Sequence, residues 1–141
     1  MTRALTAYKG LGALASDEAV YAMSDFDADR KPLCGDSRYL LRFEPGDPPP
    51  VDAFWSVTLY DADRFLHPNA LSRYAMGDRT QGLRRDPDGG LTLLVSHAPP
   101  AAESSNWLPA PAGSFYLVMR MYCPRTDALS WRIPPLRQIT D

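Results

Sequence analysis

The chain has 141 residues, 45% of them hydrophobic and 23% charged, with a formal charge of −2. That is one domain's worth of ordinary globular composition, enough to bury a sizeable core without disulfide or metal staples. The charge gives no basic footprint for nucleic acid or anionic lipid, and no apolar run approaches the ~20 residues of a membrane span, so no nucleic acid, no membrane and a soluble protein are expected.

Met1 to Gly10 lacks the continuous apolar segment of a signal peptide. Within residues 4–15, Leu5, Tyr8, Leu11 and Leu14 recur at helical spacing, which predicts a short helix. Gly10 and Gly12 weaken it, so it depends on docking. Residues 1–18 are therefore read as an N-terminal helical segment and 19–141 as a single β domain.

Asp25, Asp27, Asp29 and Asp36 fall at positions 1, 3, 5 and 12 of a calcium-loop pattern. Arg30 stands where that loop needs Gly for its sharp turn, and Pro32 follows. The expectation is a solvated acidic turn. Cys34 and Cys123 do not make a disulfide framework, and two separate thiols are expected.

Ser37 to Glu44 predicts a strand with Tyr39, Leu41 and Phe43 on one face. Pro45 to Pro50 is a connecting loop. Fourteen prolines in 141 residues is about twice the usual frequency, and they gather between the strand candidates as β-rich punctuation. The next stretch, Ala53 to Tyr60, is rich in aromatic and β-branched residues, as a packed strand requires. Alternation puts Ala53, Trp55, Val57 and Leu59 on a core face and Phe54, Ser56, Thr58 and Tyr60 on the other.

Residues 64–82 are irregular, with a short strand at 73–76. Leu83 to Arg85 and Leu91 to Ser96, joined by the turn signal Asp86-Pro-Asp-Gly-Gly90, predict a hairpin. Arg73, Arg79, Arg84 and Arg85 read as solvated charges. Asn106 to Pro111 is too apolar for an idle loop. Trp107 and Leu108 should tuck under the sheet, and Asn106 should bond loop backbone. Phe115 to Tyr122 is a second long strand, with Phe115, Leu117, Met119 and Met121 inward and Tyr116, Val118, Arg120 and Tyr122 outward.

Parallel crossovers need a dozen or more residues each, usually helical, and no long helix separates these strands. The fold class is therefore all-β with a short N-terminal helix, an antiparallel β-sandwich.

No catalytic, phosphate-cradling or metal motif is present, so no cofactor is expected. His67 and His97 are loop residues beside proline. Ser56 as a nucleophile would need one of them as its base, or a His/Asp metal site in its place. If the two long strands share a sheet, their outward faces bring Ser56 and Tyr60 beside Tyr116, Arg120 and Tyr122. Rings give an apolar platform, hydroxyls orient, and Arg120 offers a fork to a carboxylate or phosphate. The competing reading packs these residues under a loop or helix, with Arg120 paired to an Asp. The ligand-binding candidates are Ser56, Tyr60, Tyr116, Arg120 and Tyr122, with Asn106 and Trp107. Three functions follow: a non-catalytic module for a small molecule, carbohydrate or separate partner chain; a hydrolase; or a structural homodimer joined through exposed aromatics.

Phe54-Trp-Ser-Val-Thr-Leu-Tyr60 and Asn106-Trp-Leu-Pro-Ala-Pro111, with Gly113 to Tyr122 and Trp131 to Pro135, carry a resemblance over most of the chain from about Ala19 onward. The chain resembles the family catalogued as domain of unknown function 1214. The acidic turn departs from the family pattern, with Ala28 where a Gly is usual. The resemblance implies a jelly-roll-like β-sandwich. It further implies that the domain commonly follows a β-rich domain, numbered 1254, in longer and often exported proteins. It brings no catalytic residues.

Overall fold

The computed structural model describes residues 15–101 and 105–140. The expected helix over 4–15 lies outside them, apart from Ala15. Among the described residues eight strands form in chain order: β1 (Ala19–Ser24), β2 (Arg38–Phe43), β3 (Val51–Asp61), β4 (Ala75–Gly77), β5 (Leu91–Ser96), β6 (Trp107–Pro109), β7 (Phe115–Pro124) and β8 (Arg137–Ile139). One 3-10 turn, Thr126–Leu129, lies between β7 and β8. No helix among the described residues is long and apolar enough to cross a membrane.

The strands make two four-stranded sheets, ordered β1-β7-β3-β4 and β6-β5-β2-β8. Their inward faces close one core. The period of two seen in the sequence is the reason: Trp55, Val57 and Leu59 of β3 and Phe115, Leu117, Met119 and Met121 of β7 are all buried. Tyr39, Leu41 and Phe43 of β2, with Leu91, Leu93 and Val95 of β5, meet them from the second sheet. Each such side chain contributes about 1.5–3 kcal/mol on leaving water. Ring contacts pin the sheets together. Tyr39 meets Phe115 edge-on at 5.9 Å, and Phe43 meets Trp55 at 4.8 Å. Trp131 covers Phe43 in turn, stacked at 6.4 Å.

The sheets differ from the sequence expectation in four places. β1 and β8 form where no strand was expected. β1 pairs with β7, and the three residues of β8 pair with β2. Residues 83–85 do not form the first arm of a hairpin; β5 pairs instead with β2 and β6. Trp107 to Pro109 forms an edge strand parallel to β5, so the sheets are not wholly antiparallel. Finally, the acidic turn is not simply solvated. Asp27 is buried, and its Oδ1 accepts from the Asp29 and Lys31 amides at 2.9 Å each. Among the described residues no group of three or more His, Cys, Asp or Glu could hold a metal ion.

Candidate functional site

β3 and β7 are antiparallel neighbours, and their register sets the outward face. Phe54 lies opposite Tyr122, Ser56 opposite Arg120, Thr58 opposite Val118 and Tyr60 opposite Tyr116. The flanking strands extend these rows. Tyr21 of β1 pairs with Arg120, and Gly77 of β4 pairs with Ser56. One transverse row thus reads Tyr21, Arg120, Ser56, Gly77.

Ring pairs bound this region at both ends. Phe54 and Tyr122 stack at 4.4 Å, and Tyr60 and Tyr116 stack at 5.4 Å. The two pairs lie six positions apart along β3, about 20 Å at the usual rise. The rows between are small on the β3 and β4 side: Ser56 with Gly77 and Thr58 with Ala75. Gly77 is required there, because a Cβ on it would lie 2.0 Å from the Trp55 carbonyl oxygen. The result is a cleft of about 230 Å³ over Ser56, Ala75 and Gly77, with Phe54, Arg79 and Thr80 at its margin.

Two guanidiniums serve this face. Arg120 donates from Nη1 to Thr58 Oγ1 and from Nη2 to Tyr60 OH, both at 2.9 Å. Its charge also lies 5.7 Å from the Tyr60 ring and 6.0 Å from the Tyr21 ring. Arg79 lies over the Phe54 ring at 4.1 Å. Among the described residues neither has a carboxylate within ion-pair distance, in contrast with Arg42, which meets Glu44, Asp86 and Asp88. An arginine presents five N–H donors, so Arg120 keeps donors beyond the two used on hydroxyls. Arg120 is thus held by neutral hydroxyls in a fixed orientation, an arrangement that can recognise a carboxylate or phosphate.

Next to this face, Tyr116 borders a larger cleft of about 520 Å³ with Asp25, Phe26, Arg64 and Ser114. Partial burial raises the Tyr116 phenol above its ordinary pKa, and the nearby Arg64 charge opposes that shift.

Of the residues singled out in the sequence, Ser56, Tyr60, Tyr116, Arg120 and Tyr122 come together. Asn106 and Trp107 lie on the other sheet and are fully engaged there. Asn106 Nδ2 donates to the Arg84 and Thr92 carbonyls at 2.6 and 2.9 Å, and its Oδ1 accepts from the Arg84 amide. Trp107 Nε1 donates to Ser96. Ser56 has no histidine within hydrogen-bond reach among the described residues, and the His97 ring nitrogen Nδ1 instead meets the Ala110 carbonyl at 3.0 Å.

Sequence reasoning passed over Tyr21, Gly77 and Arg79. Tyr21 belongs to the unexpected β1. The pairing of Gly77 depends on β4. Arg79 is exposed, as a solvated charge should be, and the fold also lays it over Phe54. Arg73, expected to be solvated, is instead half-buried: its Nη1 donates to the Ser105 and Trp107 carbonyls at 3.1 and 2.8 Å, tying the segment before β4 to β6.

A family model described as "Protein of unknown function (DUF1214)" matches residues 18–126. Among solved structures the chain is similar to the VPA0106 protein from Vibrio parahaemolyticus, with 34% identity and a TM-score of 0.82, covering 95% of this chain and 34% of that one. It is also similar in fold to an uncharacterized protein from Burkholderia cenocepacia, at 16% identity and a TM-score of 0.51, covering 86% of this chain and 29% of that one. The chain therefore spans about a third of the length of both. No curated protein matches it.

Proposed function

The chain belongs to the family of unknown function DUF1214, and we propose that it is a non-catalytic binding module for a small ligand carrying a carboxylate or phosphate. The ligand lies across the outward face of β3 and β7. Its acid group meets Arg120, and its body meets the neighbouring rings of Tyr60 and Tyr116. One observation carries the reading: Arg79, at the margin of the Ser56–Gly77 cleft, and Arg120, paired across the strands with Ser56, are both oriented without a carboxylate partner among the described residues.

A thermal-shift screen of small aromatic and sugar carboxylates and phosphates tests the reading. At least one class should raise the Tm of the wild type, and Arg120→Gln should lose the rise. A wild type indifferent to the whole set, or an Arg120→Gln variant with the same response, would refute it. Among the described residues the hydrolase alternative finds no histidine bonded to Ser56 and no group of three or more His, Cys, Asp or Glu that could hold a metal ion. It stands or falls on ester, amide and glycoside turnover compared between wild type and Ser56→Ala.

A second reading is association with another chain, either a copy of itself or a separate partner. Its support is the exposure of Met23 (49%) and Phe26 (52%) at the Tyr116 cleft, with Phe65 and Leu66 also exposed in the segment after Arg64. Light scattering over a range of concentrations tests self-association, and a monomer throughout removes it. The winding itself is proposed to be jelly-roll-like. Support comes from β7 lying between β1 and β3 and from the alternation of β1, β2 and β3 between the two sheets.

A further inference from the structure

The two sheets do not meet evenly along their whole width. On the inward side of β7, Leu117 and Met119 are large, but the β1 residues opposite them are Ser24 and Ala22. Sandwich sheets stand about 10 Å apart and need long side chains to fill the gap between them. Small residues at two successive inward positions of an edge strand therefore leave space.

A cavity of about 200 Å³ occupies that place. Ala22 and Ser24 line it from β1, Leu41 from β2, Val57 from β3 and Leu117 and Met119 from β7. The segment 133–136, with two successive prolines, leads into β8 and lines the cavity together with β1. It reaches the centre of the core: Leu41, Val57, Leu117 and Met119 are each less than 5% exposed. It also reaches solvent, since Ile133 on its rim is 39% exposed. Among the described residues Ser24 supplies the one polar side chain in the lining, and its hydroxyl donates to the Phe26 carbonyl at 2.8 Å. The walls thus offer an entering molecule contact and little hydrogen bonding.

We propose that this inter-sheet cavity is a binding site for a small hydrocarbon group, one aromatic ring or a short acyl chain. Size and chemistry select that occupant. An apolar cavity of about 150 Å³ already admits benzene, and an apolar lining excludes ions and sugars that need polar partners. The site is separate from the Arg120 face and does not rest on it. Ala22 controls its volume, because a longer side chain at that position points into the same space.

Toluene titrated into the full chain, with Leu, Val and Met methyl groups observed by NMR, tests the assignment. Saturable shifts are expected at Leu41, Val57, Leu117 and Met119, together with NOEs from toluene protons to those methyls. Ala22→Leu should abolish both while keeping the wild-type far-UV spectrum. If that variant does not fold, the NOEs in the wild type decide alone, because a gap without access gives none. Shifts that climb without saturating, shifts that fall instead on exposed methyls outside the lining such as Leu66 and Leu71, or saturable binding undiminished in folded Ala22→Leu would overturn the proposal.

Discussion

Trp55 and Phe54 are adjacent in sequence and face opposite ways, so truncating each in turn is a sharp test of the sandwich. Trp55 is 5% exposed and meets Phe43 of the facing sheet at 4.8 Å. A buried Trp removes roughly 200 Å² from water, worth about 5 kcal/mol at ~25 cal/mol per Å². Measured Trp→Ala losses of about 3–5 kcal/mol agree with that figure. Phe54 is half-buried on the outer face, held by the Tyr122 stack and by Arg79. Its truncation should cost about 1–2 kcal/mol, made of partial area loss and one ring pair. Urea unfolding followed by far-UV circular dichroism reads both values from the midpoint at constant slope. On heating, Trp55→Ala should lower Tm by roughly 10–15 °C, at about 2–4 °C per kcal/mol for a chain near this size. A Phe54→Ala variant as damaging as Trp55→Ala would refute the assignment of faces.

Three further outcomes follow from the geometry. Gly77→Ala places a Cβ 2.0 Å from the Trp55 carbonyl oxygen, so it should destabilise by about 1–3 kcal/mol or more; a neutral effect in urea unfolding would contradict the close approach. Asn106→Ala removes three bonds to the Arg84 and Thr92 backbone, so it should cost about 1–3 kcal/mol and speed amide exchange at Arg84; unchanged exchange there would count against the tie. The Gly90 amide, and after it the Arg42 guanidinium, hold the Asp88 carboxyl below its ordinary pKa. Its folded value is depressed, so its stabilisation is present above the unfolded pKa and is lost as pH falls through the folded one. Asp88→Asn should therefore flatten part of the acid limb of stability below about pH 4; an acid limb identical to wild type would contradict this.

The inward faces of β2, β3, β5 and β7 were legible because large apolar residues alternate there without interruption. The pairing of β3 with β7, supposed from their shared pattern, brought the five outward candidates together. What stayed hidden has physical causes. β1 is Ala-Val-Tyr-Ala-Met-Ser, whose inward Ala22 and Ser24 carry almost no hydrophobic signal. β8 is three residues long, held by pairing with β2 rather than by its own composition. The hairpin expected over 83–96 failed because the Asn106 side chain, not a partner strand, satisfies the Arg84 backbone. β6 runs parallel to β5, and nothing local marks such a strand in a sequence of hairpin-like spacing. Arg79 illustrates the same limit at the site: its role depends on where β4 and the turn after it lie relative to Phe54.

The central claim is that the outward face of β3 and β7 receives an acidic ligand through Arg120. The most direct measurement is an NMR titration with phenyl phosphate, following backbone amides and arginine side-chain N–H signals. Saturable shifts centred on Ser56, Thr58, Tyr60, Arg79 and Arg120, absent in Arg120→Gln, are predicted. Shifts that are missing, or that fall on the β2 and β5 sheet instead, would contradict it.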